Sequence, residues 1–141
     1  MKIGIEIEKT AKSNAIYIEK LCEKRAEIIK RNITKKYVYS YSEIFLWERF
    51  KAFAVKQRDD GWQKVCDFVG NKSCLMFFDK MEDESVFFLK NGQDLNTLLS
   101  EMYGFEFYIT DIETEYLLCF NHHDCLLGCG RAKKWVESLN E

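Results

Sequence analysis

Apolar positions along the chain recur first with a helical spacing and later with the spacing of strands. The opening IGIEIE (3–8) alternates apolar and acidic residues and admits either a short edge strand or the lead-in to a helix. From about Ser13 to Arg31 the pattern is helical. Ser13 can cap it. Ile18, Leu21, Cys22, Ile28 and Ile29 form an apolar stripe among Lys20, Glu23, Lys24 and Glu27, and Asn32 is a plausible stop. A second helix is predicted from about Ser42 to Arg58, where Ser40 and Glu43 fit a capping box or Ser42 caps instead. Trp47, Phe50 and Phe53 or Ala54 recur at the spacing of a core-facing stripe. After RDDGW (58–62), Trp62, Val65, Cys66 and Val69 predict a short helix that ends at Gly70-Asn71.

Beyond residue 73 the pattern turns to sheet. CLMFF (74–78) and VFFL (86–89) are short, aromatic-rich runs separated by the acidic DKMEDES (79–85), which predicts a hairpin. Their unbroken apolar character predicts strands covered on both faces. NGQDLNTLLSEMYG (91–104) predicts a short helix with Asp94 as its cap, Leu95, Leu98, Leu99 and Met102 as its stripe, and Gly104 as its stop. FEFYIT (105–110) and EYLLCFN (115–121) predict a second hairpin around DIET (111–114). In its first strand, Glu106 and Tyr108 alternate with Phe105, Phe107 and Ile109, which puts the former pair on the less buried face. A last helix is expected from Arg131 to Leu139, with Ala132, Trp135, Val136 and Leu139 on one side. The fold class is α+β: N-terminal helices, then an antiparallel sheet of about four strands with helices packed on it.

With 141 residues, no proline, no Gly/Ser linker and no repeat, the chain reads as a single domain, 1–141. Hydrophobic residues at 47% and aromatics at 15% suffice for a core without disulfide or metal support. No apolar run has the length of a membrane span, and MKIGIEIEKTAK lacks the apolar region of a secretion signal. The six cysteines (22, 66, 74, 119, 125 and 129) are therefore expected to be reduced thiols in a cytoplasmic protein.

Charge sharpens the picture. The net charge of −2 conceals +6 over residues 1–65 and −8 over 66–141. Between Lys90 and Arg131 stand seven acids and no base. Phosphates would be repelled by this half, whereas a cationic protein would be steered towards it. The basic early helix offers Lys20, Lys24, Arg25, Lys30, Arg31, Lys35 and Lys36 for nucleic acid. Glu19, Glu23 and Glu27 intersperse them, which favours a solvated helix instead.

The densest chemistry lies in CFNHHDCLLGCG (119–130). A zinc site would draw on Cys119, His122, His123, Cys125 and Cys129, but the paired spacings of structural zinc sites are missing. A thiol catalyst would pair Cys125 or Cys129 with His123, with no orienting third group in sight. The His-His-Asp run differs from the paired-histidine motif of acyl-transfer domains, whose aspartate comes several residues later. More simply, Asn121, His122, His123 and Asp124 end a strand and bond to its unpaired backbone, and Gly128 and Gly130 permit a bend into the last helix.

The stretch GFEFYITDIETEYLLCFNHHDCLLGCG (104–130), followed by AKKWVESL, resembles small bacterial immunity proteins of polymorphic-toxin and contact-dependent inhibition systems. The paired aromatic strands, the FNHHD strand end, the glycine bend and the Trp-containing final helix carry the resemblance. It implies a cytosolic protein without enzymatic activity or cofactor that binds a toxin domain, often a nuclease. No contact residue transfers by motif. From the acidic patterning, the expected toxin contacts are Asp79, Glu82, Asp83 and Glu84 on one turn and Asp111, Glu113 and Glu115 on the other. Glu106 and Tyr108 join them from the strand between, and Tyr103, Tyr108 or Tyr116 are the aromatic anchors.

Overall fold

A computed structural model describes residues 2–102 and 104–140. Its centre is a seven-stranded, fully antiparallel sheet in the order β1-β4-β3-β5-β6-β7-β2. The strands are β1 (Ile18–Lys20), β2 (Ala54–Gln57), β3 (Cys74–Phe77), β4 (Phe87–Leu89), β5 (Phe107–Thr110), β6 (Tyr116–Phe120) and β7 (Cys125–Gly130). One face carries α1 (Ile3–Ser13), α3 (Gly61–Val69), α4 (Gly92–Ser100) and α5 (Lys133–Ser138). The other carries α2 (Glu23–Tyr37) and the 3₁₀ turn Leu46–Arg49. Three layers therefore make two cores, and the strands alternate between them. Phe107 and Ile109 face the four-helix side, with Tyr108 between them facing α2. None of the helices among the described residues is long and apolar enough to cross a membrane.

The α+β class, the two central hairpins, α3, α4 and the final helix follow the sequence pattern. The expectation of about four strands is corrected to seven. The expected glycine bend is strand β7; Gly128 within it lets helix α5 approach, since a Cβ there would lie 2.6 Å from Val136 Cγ2, while Gly130 at φ 62° makes the turn towards α5. The expected helix from Ser13 to Arg31 is two helices and a strand. Ala15 takes a left-handed conformation, and the amides of Ala15 and Ile16 return to the carbonyls of Lys12 and Ala11. That is a helix stop without the usual glycine. Ser13 thus closes α1 rather than opening α2. The expected helix from Ser42 to Arg58 is replaced by the 3₁₀ turn and edge strand β2, with Phe45 and Ala52 both left-handed. Asn91, three residues ahead of the expected Asp94, caps α4 by accepting the Asp94 amide at 2.8 Å.

Register fixes what meets at each end of the sheet. Phe77 pairs with Tyr108 and Phe107 with Phe120. The loops 78–86 and 121–124 therefore flank residues 105–106 at one end. The 111–115 turn lies at the other, about 17 Å along β5 from Glu106.

Candidate functional site

Asp79 follows β3 and is buried. Its Oδ2 accepts the Phe45 amide at 2.9 Å, and its Oδ1 accepts the Leu46 amide at 3.0 Å and the Tyr108 hydroxyl at 2.7 Å. Tyr108 in turn accepts the Trp47 amide at 3.1 Å, so one phenol and one carboxylate hold three successive backbone amides. Burial, with the Asp79 carboxylate against it, pushes the Tyr108 pKa far up, and the phenol stays the donor to Asp79.

The pinned segment turns Leu46 into the core and keeps its neighbours at the surface. Tyr41, Ile44 and Phe45 are exposed, and Met81, whose amide bonds to the Glu43 carbonyl, adds a side chain that is 67% exposed. Phe45 stands 5.9 Å from Trp47 and 5.4 Å from His122, and Trp47 stands 6.1 Å from His122. His123 packs on His122 at 3.9 Å. Glu106 lies behind this triangle. Its Oε2 accepts both the His122 amide at 2.8 Å and the His122 Nδ1 contact at 2.5 Å, while its Oε1 faces the Trp47 indole N–H at 3.4 Å. The loop holding the histidines is a tight β6–β7 connection. The Asn121 side chain accepts the amides of His123 and Cys125, as expected for polar residues that end a strand, and Asp124 supplies the left-handed turn.

The acidic face expected from sequence is divided and corrected. Asp79, Asp83 and Tyr108 are buried and satisfied inside the protein, so the structure does not present them to solvent. Tyr108 was expected on the less buried face, but α2 covers that face too. Burial works against ionised Asp83, but hydrogen bonds from Ser85 and the Gly4 amide, with Lys2 nearby, outweigh it and lower its pKa. Glu82 and Glu84 are exposed on the same loop. Glu84 has Lys80 at 3.8 Å, and its carbonyl accepts from Lys30. Asp111, Glu113 and Glu115 sit at the opposite end of the sheet. There Arg131 stands 3.9 Å from Asp111, and Lys36 donates to the carbonyls of Glu113 and Thr114. Of the aromatic anchors, Tyr116 is buried and Tyr103 lies outside the described residues.

The structure gathers other residues that the pattern had assigned to a core helix: Ile44, Phe45 and Trp47, with Glu43 and Glu48 beside them. One signal was available. Phe45 stands two positions before Trp47, roughly 200° round a helix, and so falls off the stripe of Trp47, Phe50 and Ala54.

The Cys/His cluster does not assemble. Cys119 and Cys129 are buried on the α2 side, whereas His122 and His123 are exposed in the loop. Among the described residues no group of three or more His, Cys, Asp or Glu side chains is placed to hold a metal ion. Burial pushes the thiols of Cys66, Cys74 and Cys129 up to about 12, and that of Cys119 well above its ordinary value, the reverse of what a nucleophile needs. Alkylation with iodoacetamide at pH 8 should therefore modify exposed Cys22 and spare these four until the protein is unfolded. Peptide mass mapping reads this, and early modification of Cys119 or Cys129 would contradict the buried placement.

On α2, Lys24, Arg25, Arg31 and Lys35 are exposed, and two further cations are engaged internally. Lys30 and Lys36 both donate to backbone carbonyls, and Glu23 and Glu27 interrupt the row. α1, α2 and the 83–86 segment border an open groove of about 1040 Å³ whose walls mix lysines with Glu8, Glu23, Glu27 and Glu84. Such a wall has no single sign of charge to offer a polyanion. Comparison of the chain with protein-family models, with curated proteins and with solved structures returns no match.

Proposed function

We propose that this chain is a non-catalytic binding protein that neutralises a basic toxin domain in the cytosol. Its docking surface is the sheet end formed by the loops 41–49, 78–86 and 121–124. The single observation carrying the reading is the aromatic cluster of exposed Phe45 and His122 with half-buried Trp47, in which buried Asp79 and Tyr108 hold the Phe45 and Trp47 amides. Rigid aromatic groups presented to solvent at the centre of a patch are what binding hot spots are made of. Glu43, Glu48, Glu82 and Asp124 are exposed around that centre, and the cations in the same loops are Lys80 and Arg49. The rim is thus negative and complements a cationic cleft of the kind a nuclease needs to hold phosphate. The resemblance of residues 104–139 to immunity proteins supplies the toxin as partner.

The test is stopped-flow association with a toxin domain encoded by the neighbouring gene. Glu43→Lys, Glu48→Lys and Glu82→Lys together should slow association on the order of tenfold at low salt, and the difference should shrink as salt is raised. The matching reversal of Glu113 and Glu115 at the far end should leave the rate near that of the parent. Absence of binding defeats the toxin reading, and equal slowing by both sets defeats the assignment to this end.

A further inference from the structure

The seat formed by Phe45, Trp47, His122 and Glu106 has a chemistry more specific than a general attraction for cations. Its three rings lie 5.4 to 6.1 Å apart and are tilted by 42 to 67°, so they form an open corner rather than a closed stack. Phe45 is 36% exposed and the His122 side chain 48% exposed, while the Glu106 side chain behind them is only 13% exposed. The two oxygens of Glu106 are used unequally. Oε2 takes two short contacts from His122, and Oε1 has the Trp47 indole at 3.4 Å, which leaves acceptor capacity on that oxygen.

We propose that this corner receives an arginine side chain of the cationic partner, its guanidinium lying against Phe45 and His122 and directed towards Glu106. The inference rests on the docking reading above and names the group that the site recognises. Three occupants can be weighed on physical grounds. An apolar anchor would cover the rings but strip water from Glu106 without giving it a new partner, which is costly. A lysine ammonium is a compact, strongly hydrated charge that gains little from a flat ring until it is desolvated. A guanidinium is planar and weakly hydrated; it stacks on aromatic faces and keeps N–H groups at its edge for a carboxylate. The surrounding Glu43, Glu48, Glu82 and Asp124 favour either cation, so the rings and Glu106 make the distinction.

The experiment uses the full chain and two peptides of equal length and charge, nona-arginine and nona-lysine, titrated by calorimetry at fixed low salt. Nona-arginine should bind at least fivefold more tightly. Phe45→Leu keeps apolar bulk but removes the ring face; it should bring the two affinities within about twofold by lowering the arginine peptide alone. Because Phe45 is exposed, this variant should melt like the parent, and Glu113→Lys serves as a remote control with the preference intact. Equal affinities for the two peptides, binding of neither, or an undiminished preference in Phe45→Leu would overturn the assignment. A toxin that binds a chain without arginine preference would leave the function standing and this inference fallen. An arginine preference in a chain that ignores the toxin would do the opposite.

Discussion

Replacing Asp79 by alanine should destabilise the protein by about 4 kcal/mol and release the docking loop at the same time. The substitution removes the acceptor for the Phe45 and Leu46 amides and for the Tyr108 hydroxyl, all in one buried place. Each buried donor left unpaired costs about 1 to 3 kcal/mol, and three that share one cavity do not add fully. A backbone cost joins this. Phe45 holds a left-handed conformation at φ 50°, which disfavours a bulky L-residue by on the order of 1–2 kcal/mol. The bonds to Asp79 offset that strain; without them the segment has reason to relax. Asp79→Asn keeps one carbonyl acceptor but turns an NH₂ towards donors, so it should fall between Tyr108→Phe and the alanine variant. Urea unfolding gives the energies. Amide exchange at Phe45 and Leu46, accelerated well beyond that of the sheet, reports the loop. A loss below about 1 kcal/mol with unchanged exchange would show that the carboxylate does not organise this end.

That hub also explains why the site was hard to read in the sequence. The pattern gives a pair of hairpin strands their identity, and β3, β4, β5 and β6 fall where alternation and apolar runs put them. It does not reveal which loop carboxylate turns inward. Asp79 and Glu82 stand in the same acidic turn and look alike, yet one is a buried acceptor and the other is exposed. Charge counting treats them equally because it ignores the amides that a carboxylate can satisfy. The same gap hid Phe45 and Trp47: aromatic spacing fits a helix, but the amides of that segment find Asp79 and Tyr108 instead of helical carbonyls. β1 and β2 were missed for another reason. Each is an edge strand of three or four residues, too short to show alternation, and each lies near a left-handed alanine where a glycine would have advertised the break. The split of the acidic face is a matter of register. Only the pairing of Phe77 with Tyr108 and of Phe107 with Phe120 shows that the turns 79–85 and 111–114 point to opposite ends of the sheet.

The far end of the sheet provides a counterpart in which stability and docking should separate. Gly92→Ala should cost about 3 kcal/mol although alanine is the better helix former. Gly92 opens α4, and its amide donates to the Gly70 carbonyl at 2.7 Å. A Cβ there would stand 2.2 Å from the Cys66 carbonyl oxygen and 3.0 Å from the Gly70 amide nitrogen. Both neighbours are main-chain atoms at the end of α3, so no rotamer change relieves the clash; α3 and α4 must move apart or the cap at Asn91 must break. The gain in helix propensity, about 1 kcal/mol, is smaller than that displacement. Gly104 is a useful contrast: among the described residues beyond its chain neighbours none comes within 4 Å of its Cβ position, and at φ 77° its substitution meets conformational strain. Because β4 pairs antiparallel to β3, Gly92 emerges beside Cys74, at the end away from Phe45 and His122. The folded fraction of Gly92→Ala should therefore bind a cationic partner at the parental rate, whereas Asp79→Ala should lose both stability and rate. Thermal melting and stopped-flow association on the two variants distinguish these outcomes. Equal losses of rate would mean that the two ends of the sheet are coupled and that docking is not confined to the loops around Phe45.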